Sequence, residues 1–304
     1  MDEKQLSGMK ITVSGRKFIL PIPIIKRSFK AAEESVTCDP SGDRMINIDE
    51  GVKSLINLSD YLDLPPSQKS FEDQIVMVLE DKRRKVCVCV DSLVGECKAE
   101  IYPLPAFCGD GEHIAGCAIL SDGEIFLVIN HDGLFEGIEP DESEEEPPPK
   151  PAEIPEPYEP DNSEMDDKYL TFEQQNEVYA FHIAQVKEII SVCEIVPVPK
   201  APRVIEGVIN RRGDIIPVMD LNKLFSGAGG ESGSTSIIIL EYEGCPMGVL
   251  IDKINETITL NEENISPVPQ KKAGEGLAFV NKLGRYNENV ILILDLVKVF
   301  EAIH

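Results

Sequence analysis

Short apolar runs alternate with charged or glycine-containing turns along most of the chain, and this pattern predicts β-strands joined by hairpins. The clearest example lies at residues 207–221, where two apolar runs flank the turn Asn210–Gly213. Gly213 occupies a position where a tight turn needs a positive φ. We therefore predict a rigid hairpin whose tip presents Arg212, a planar group with five donors that suits a carboxylate or backbone carbonyls. An ordinary hairpin with a solvated arginine is the alternative.

The same order of elements occurs twice, which indicates a tandem duplication of one all-β unit. Each unit holds about nine or ten short strands, too many for one small barrel and suitable for two. The predicted fold is all-β, with two domains that each pair two small five-stranded β-barrels and carry short helices. The matching segments are 15–25 with 177–189, 45–62 with 207–224, 75–93 with 237–254, and 123–135 with 288–300.

Composition divides the chain into two domains and a linker. We assign residues 9–137 to the first domain and 168–304 to the second. Residues 138–167 contain about a dozen acidic residues, one lysine and repeated prolines, a composition that cannot bury enough apolar area to fold. This segment is predicted to be an extended, solvated spacer, and an acidic docking peptide is the alternative.

Charge and hydropathy exclude several classes of partner. The formal net charge is −25, and aromatic residues make up only 6% of the 304 residues, with no tryptophan. Such a surface does not favour nucleic acid or an anionic membrane. The beginning of the chain does not resemble a secretory signal, and no apolar run has the length of a membrane span. We expect a cytoplasmic protein with no direct membrane insertion.

Candidate chemistry is sparse. None of the eight cysteines forms a Cys-x-x-Cys motif; Cys87 and Cys89 should share one face of a strand as packed reduced thiols. His182 is expected to be an exposed strand residue, and nothing places a base beside Cys245. No phosphate-binding glycine loop is present. We predict no cofactor, no metal site and no enzymatic activity, with an enzyme kept as a remote alternative.

The C-terminal half strongly resembles CheW, the adaptor of bacterial and archaeal chemotaxis. The resemblance rests on a Gly-Val-Ile…Pro-Val…Asp-Leu frame around an Asn-Leu-Arg-Gly turn, and it covers about residues 167–304. Here Arg211 replaces the leucine of that turn. The N-terminal half is similar to a related module, the C-terminal regulatory domain of the histidine kinase CheA, through Phe18–Ile22, Val90–Gly95 and Ile114–Gly123.

The N-terminal half departs from the family pattern at the turn equivalent to 210–213. Asp49 and Glu50 replace the arginine and the glycine. The charge at this tip is therefore inverted, and a partner carboxylate that pairs with Arg212 would be repelled. No partner-binding residue is assigned to this turn.

The resemblance implies a non-catalytic adaptor that couples the cytoplasmic tip of methyl-accepting chemoreceptors to a CheA-type histidine kinase. It also implies the partner-binding residues, which we predict to be Val186, Glu188, Val204, Ile205, Arg212 and Gly213. We further predict that Glu188 pairs with Arg212, whereas Val186 and Ile189 have core burial as an alternative role. The alternative function is a self-associating scaffold, in which the two halves bind each other and receptor contact is lost.

Overall fold

The structure of the protein is a computed structural model. It describes residues 5–32, 36–38, 44–48, 51–82, 84–105, 108–109, 111–136, 138, 168–226, 233–242, 244–268, 275–287 and 289–303. The chain divides into two compact units, Met1–Pro151 with Val198–Lys200 and Ala152–Pro197 with Ala201–His304. The predicted spacer lies almost wholly outside the described residues, so its extended character stays a prediction.

The N-terminal half is built almost entirely from strands, as the alternating pattern predicts. The strands are β1 (Gln5–Val13), β2 (Arg16–Pro21), β3 (Ile25–Lys30), β4 (Val36–Cys38), β5 (Arg44–Ile48), β6 (Gly51–Asn57), β7 (Ile75–Asp81), β8 (Arg84–Val90), β9 (Ser92–Tyr102), β10 (Ile114–Ile119) and β11 (Ile125–Ile129). The helices are α1 (Leu58–Tyr61) and α2 (His131–Leu134), with 3₁₀ helices at Ile22–Ile24 and Phe71–Asp73.

The C-terminal half repeats this order. Its strands are β12 (Lys168–Gln174), β13 (Glu177–His182), β14 (Val186–Ser191), β15 (Ile205–Arg211), β16 (Asp214–Asp220), β17 (Ser236–Tyr242), β18 (Cys245–Ile251), β19 (Lys253–Thr259), β20 (Ile265–Pro267), β21 (Val280–Tyr286) and β22 (Asn289–Leu294). The helices are α3 (Leu221–Ser226) and α4 (Leu296–Glu301), with 3₁₀ helices at Ile183–Gln185, Glu262–Asn264 and Glu275–Phe279. The predicted duplication is confirmed by this order of elements.

Each half contains two sheets, and one of the four closes into a barrel. In the N-terminal half, β1-β2-β11-β10-β9 form a closed barrel, and the second sheet has the order β3-β7-β8-β6-β5-β4. In the C-terminal half, the orders are β19-β12-β13-β22-β21-β20 and β14-β17-β18-β16-β15. All-β architecture and paired sheets are as predicted, whereas hydrogen-bonded closure of every barrel is not observed among the described strands.

Strand length explains the difference in closure. β9 is eleven residues long, so its first part pairs with β1 and its end pairs with β10. In the C-terminal half a 3₁₀ helix interrupts the corresponding path. β19 pairs with β12, and the separate strand β20 pairs with β21. Because no single strand bridges both neighbours there, that sheet remains open.

Equivalent aspartates fix the first hairpin of each half. The turn residues Ser14 and Gly15 have positive φ values of 51° and 76°, and the hairpin between β12 and β13 has the same backbone form at its turn. Asp91 accepts a hydrogen bond from the Gly15 N–H at 3.4 Å, and Asp252 accepts one from the Gln175 N–H at 3.1 Å. These bonds tie each hairpin tip to the residue just before β9 or β19, so the first hairpin is held in the same way in both halves.

Stacked aromatic side chains connect the first sheet of the C-terminal half to α3. Phe172 stacks on Phe181 with ring centroids 5.3 Å apart, and Tyr179 stacks on Phe225 at 5.0 Å. All four side chains are buried. Burial of rings of this size supplies much of the apolar stabilisation of a small domain, and here it anchors the helix that follows the β15–β16 hairpin.

Candidate partner-binding site

The β15–β16 hairpin ends in a two-residue turn of the type favoured between twisted strands. Arg211 pairs with Asp214, which leaves Arg212 and Gly213 as the turn residues, with φ values of 57° and 95°. Two consecutive positive φ values define a type I′ geometry. The Asn210 side-chain oxygen accepts a hydrogen bond from the Gly213 N–H at 3.0 Å. The predicted tight hairpin turn is observed, and the Arg212 side chain on it is 78% exposed; its rigidity stays a prediction.

The predicted ion pair of Glu188 with Arg212 is present, but Glu188 on β14 makes its hydrogen bonds with Arg211. The Arg211 Nε donates to Glu188 Oε2 at 3.0 Å, and Nη2 donates to Oε1. The Arg212 Nη2 lies 3.6 Å from the same Oε1, which is an ion-pair approach without a hydrogen bond. Arg211 is the last residue of its strand, and its planar fork matches both carboxylate oxygens.

This pair shifts both groups toward their charged forms. The hydrogen bonds from Arg211, aided by the nearby charges of Arg211 and Arg212, hold the pKa of Glu188 below its ordinary value, against a smaller opposing effect of desolvation. The hydrogen bond to Glu188 likewise raises the pKa of Arg211. The carboxylate is therefore ionised at neutral pH and fully engaged by one guanidinium.

Glu188 and Arg211 connect the two edge strands of one sheet. β14 and β15 are the outer strands in the order β14-β17-β18-β16-β15, so their contact means that the sheet curls until its edges meet. Val196, in the connection that follows β14, also bonds to β15, because Val196 and Val208 exchange backbone hydrogen bonds of 2.9 Å in both directions. The gap between β14 and β15, which we call the seam, is thus bridged by side chains and one β-bridge instead of a continuous ladder.

Gly207 permits the close approach at the seam. Its φ is +154°, and a Cβ added there would collide with the Val196 carbonyl oxygen. A glycine is therefore required at the point on β15 where the segment around Val196 passes close to the strand. Neither the close approach at Gly207 nor the pairing of Arg211 with Glu188 was predicted from the sequence; the Gly-Val-Ile run offers a local signal only for the glycine.

The remaining predicted contact residues differ in exposure. Val186 on β14 and Val204, just before β15, are half-buried. Ile205 is buried at 7% exposure, so it supports the seam from inside and offers little surface to a partner. Apolar surface near Glu188 comes instead from Ile189 and Val192, which are 44% and 42% exposed. Core burial is therefore not the state of Ile189.

The N-terminal half carries the opposite charge at the position of Glu188. Arg27 pairs with Val78 after a bulge in β3, as Glu188 pairs with Ile239 after a bulge in β14. Asp49 and Glu50 of the equivalent turn lie outside the described residues, so their predicted effect stays a prediction. The next residue, Gly51, has φ +100°. Arg27 reinforces the sequence-based inference that the two halves differ in polarity here.

The other candidate residues lie in surroundings that indicate structural roles. Cys87 and Cys89 belong to one buried cluster, as predicted, and burial raises the pKa of Cys89 to about 12. The predicted exposed His182 is half-buried, and its Nδ1 accepts a hydrogen bond from the Ala184 N–H at 3.3 Å at the start of a 3₁₀ helix. Within the described residues, no group of three or more His, Cys, Asp or Glu side chains is arranged to hold a metal ion. None of the described helices is long and apolar enough to cross a membrane.

The fold defines a protein with two all-β repeats. The C-terminal repeat has an arginine at the tip of the hairpin beside the seam. Comparison with known proteins identifies its family: the CheW-like domain model matches residues 7–139 and again 168–304. The chain therefore belongs to the CheW-like domain family, which confirms the resemblance seen in the sequence.

Named relatives come from chemotaxis. The chain is 33% identical over 138 residues to the chemotaxis protein CheW of Treponema pallidum, covering 44% of this chain and 81% of that protein. It is 26% identical over 129 residues to the chemotaxis protein CheA of Salmonella typhimurium, covering 42% of this chain but only 19% of that protein. A crystal structure of the scaffolding protein TtCheW from Thermoanaerobacter tengcongensis is 35% identical, covers 42% of this chain and 88% of that chain, and aligns with a TM-score of 0.40.

Proposed function

We propose that this protein is a non-catalytic adaptor that couples the cytoplasmic tip of methyl-accepting chemoreceptors to a CheA-type histidine kinase in the cytoplasm. Family membership supports a chemotaxis scaffold. The observation that carries the proposal for this chain is the Arg212 tip, a guanidinium that is 78% exposed on a tight hairpin turn and approaches Glu188 of β14. Val186, Glu188, Val204, Ile205, Arg212 and Gly213 form or support the proposed contact surface.

The arrangement suits a protein partner better than a small molecule. Ile189 on β14 and Val192 just after this strand expose apolar surface, and Arg212 exposes a charged group at the tip of the β15–β16 hairpin. Apolar contacts next to a fixed arginine are the usual composition of a protein interface. An acidic residue on the partner, within or next to an apolar helical surface, would complement both features.

The C-terminal half is the proposed receptor-binding copy. It retains Arg212 and Gly213, whereas the N-terminal half has Arg27 at the position of Glu188 and Asp49 at the sequence position of Arg212. A carboxylate that Arg212 attracts would meet a different charge pattern in the N-terminal half. We propose that this half acts as a module similar to the CheA regulatory domain in the assembly of receptors and kinases, in line with its sequence resemblance to that domain.

The test is a binding assay with the full chain. A receptor tip hairpin and a CheA regulatory domain from the same genome serve as immobilised partners. Arg212→Glu should weaken receptor-tip binding about tenfold or more, because a buried or rim arginine at an interface is replaced by a repelling charge. The matched control is Arg285→Glu, which makes the same charge change at an exposed position on β21.

Both variants should keep the wild-type circular dichroism spectrum and unfolding midpoint, because both side chains project from the surface. Receptor binding by Arg212→Glu at wild-type strength would refute the proposed site. Failure of the wild-type chain to bind either partner would refute the adaptor function, and mutual binding of the two halves would then support the self-associating scaffold.

A further inference from the structure

One carboxylate faces two guanidinium groups at the seam, and they do not share it equally. Arg211 bonds to both oxygens of Glu188 and is 36% exposed. Arg212 approaches only Oε1, at 3.6 Å, and is 78% exposed. Within the described part of the chain, this approach is the closest polar contact of the Arg212 side chain. Glu188 is therefore neutralised by Arg211, and the corner keeps a net positive charge on Arg212.

We infer that Arg211 is a positioning residue for partner binding: by occupying Glu188, it leaves the Arg212 guanidinium available to a carboxylate on the partner protein. This inference rests on the proposed function and extends it. The resemblance makes the point specific to this chain, because the matching position of the family turn is leucine. With an apolar residue there, Glu188 would have only Arg212 to pair with, since the two groups already lie 3.6 Å apart.

Arg211 thus removes an internal competitor. A carboxylate on a partner can bind Arg212 in a bidentate manner only if the guanidinium donors are not committed elsewhere. If Glu188 held Arg212, the partner would have to displace it, and the charge of the corner would be zero before binding. Having to break one partly exposed ion pair lowers the affinity for the partner a few-fold.

The first experiment needs no partner. In ¹⁵N NMR spectra of the full chain, the guanidinium of Arg211 should show hindered rotation and slow exchange, and that of Arg212 should show fast rotation. In Arg211→Leu, the Arg212 guanidinium should become hindered, because Glu188 now pairs with it. If rotation of the Arg212 guanidinium were equally hindered, or equally free, in wild type and in Arg211→Leu, the inference would be overturned.

The second experiment uses the receptor tip hairpin as the probe. Arg211→Leu should weaken its binding about three- to five-fold, the range expected of one partly exposed ion pair that must be broken. Glu188→Gln added to Arg211→Leu should restore binding, because the competing carboxylate is gone. A merely structural role of Arg211 predicts no such rescue, and its absence would contradict the inference.

The two proposals fail differently. If the wild-type chain does not bind the receptor tip, the proposed function fails, while the NMR comparison still decides whether Arg211 releases Arg212. If wild type binds and Arg212→Glu does not, but Arg211→Leu binds as strongly as wild type, the adaptor function stands and the positioning role is wrong. Unfolding midpoints of all variants check that each remains folded.

Discussion

Glu188 on β14 and Arg211 on β15 join the two outer strands of a five-stranded sheet through two hydrogen bonds. Strands at opposite ends of a sheet meet only when the sheet curls, so this ion pair marks where the curl closes. The backbone bridge between Val196 and Val208 closes the same seam a few residues away. The proposed binding corner is therefore also a structural joint, and its variants need separate stability and binding measurements.

Acid pH should weaken this joint. The pKa of Glu188 is lowered in the folded protein, first by its hydrogen bonds to Arg211. A lowered folded-state pKa contributes stability that is complete above the ordinary glutamate value of about 4.3 and is lost as the pH falls through the lower value. The stability difference between wild type and Glu188→Gln should therefore shrink as the pH falls from neutral to below about 4.

Urea unfolding at a series of pH values measures this difference. Glu241→Gln is a suitable control, because Glu241 also accepts a hydrogen bond from a cation, Lys187, but its pair does not cross the seam. A difference between wild type and Glu188→Gln that stays constant over the whole pH range would contradict the ion-pair assignment.

Gly207→Ala should destabilise the C-terminal half by about 1–3 kcal/mol, the cost of forcing a residue with a side chain into a glycine-only backbone region. The added Cβ would also collide with the Val196 carbonyl oxygen, so the Val196–Val208 bridge must open. Chemical unfolding measures the loss. Gly233→Ala is the matched control, because a Cβ there meets no atom within 4 Å; an equal effect at both positions would exclude steric crowding as the cause.

Asp220 should tolerate asparagine but not alanine. Its Oδ1 accepts a hydrogen bond from the Asn222 N–H at 2.8 Å at the start of α3, and the residue is 1% exposed. Burial raises the pKa of this carboxyl, so its ionisation near neutral pH opposes folding. Asp220→Asn keeps the acceptor without the charge, whereas Asp220→Ala removes the cap at a cost of about 1 kcal/mol.

The N-terminal half supports this expectation, since Asn57 performs the same role at the start of α1 and accepts from the Ser59 N–H at 3.2 Å. Thermal unfolding of both Asp220 variants at several pH values provides the test. Because the folded-state pKa is raised, the wild-type protein should gain stability relative to Asp220→Asn as the pH falls. Destabilisation by asparagine as large as that by alanine would contradict this expectation, because it would show that the acceptor oxygen alone does not preserve the cap.

Local features were predictable from the sequence to a greater degree than contacts between distant strands. The turn follows from Gly213, which reaches a positive φ without steric cost, and the duplication follows from the repeated order of apolar runs. Which of two adjacent arginines reaches Glu188 depends on how far β14 and β15 curl toward each other. The contact joins residues 23 positions apart in the chain, and the curl that brings them together has no local sequence signal.

Whether each barrel closes could not be predicted from the sequence either. The pattern does not reveal that a short 3₁₀ helix at Glu262–Asn264 divides the path that β9 completes in one piece. Exposure of Ile189 also escaped the apolar-spacing argument. Exposure alternates along β14 from the half-buried Val186, so Ile189, three residues later, falls in the exposed phase of the strand.

The opposite charges of Arg27 and Glu188 have a consequence for assembly. Two copies of one fold in one chain would ordinarily be interchangeable to a neighbour, and a lattice built from them would have no sense of direction. Because the equivalent positions 27 and 188 carry opposite charges, the leading and trailing modules present different groups to a neighbour. In the proposed assembly, covalent order alone would give each chain a direction before any contact forms.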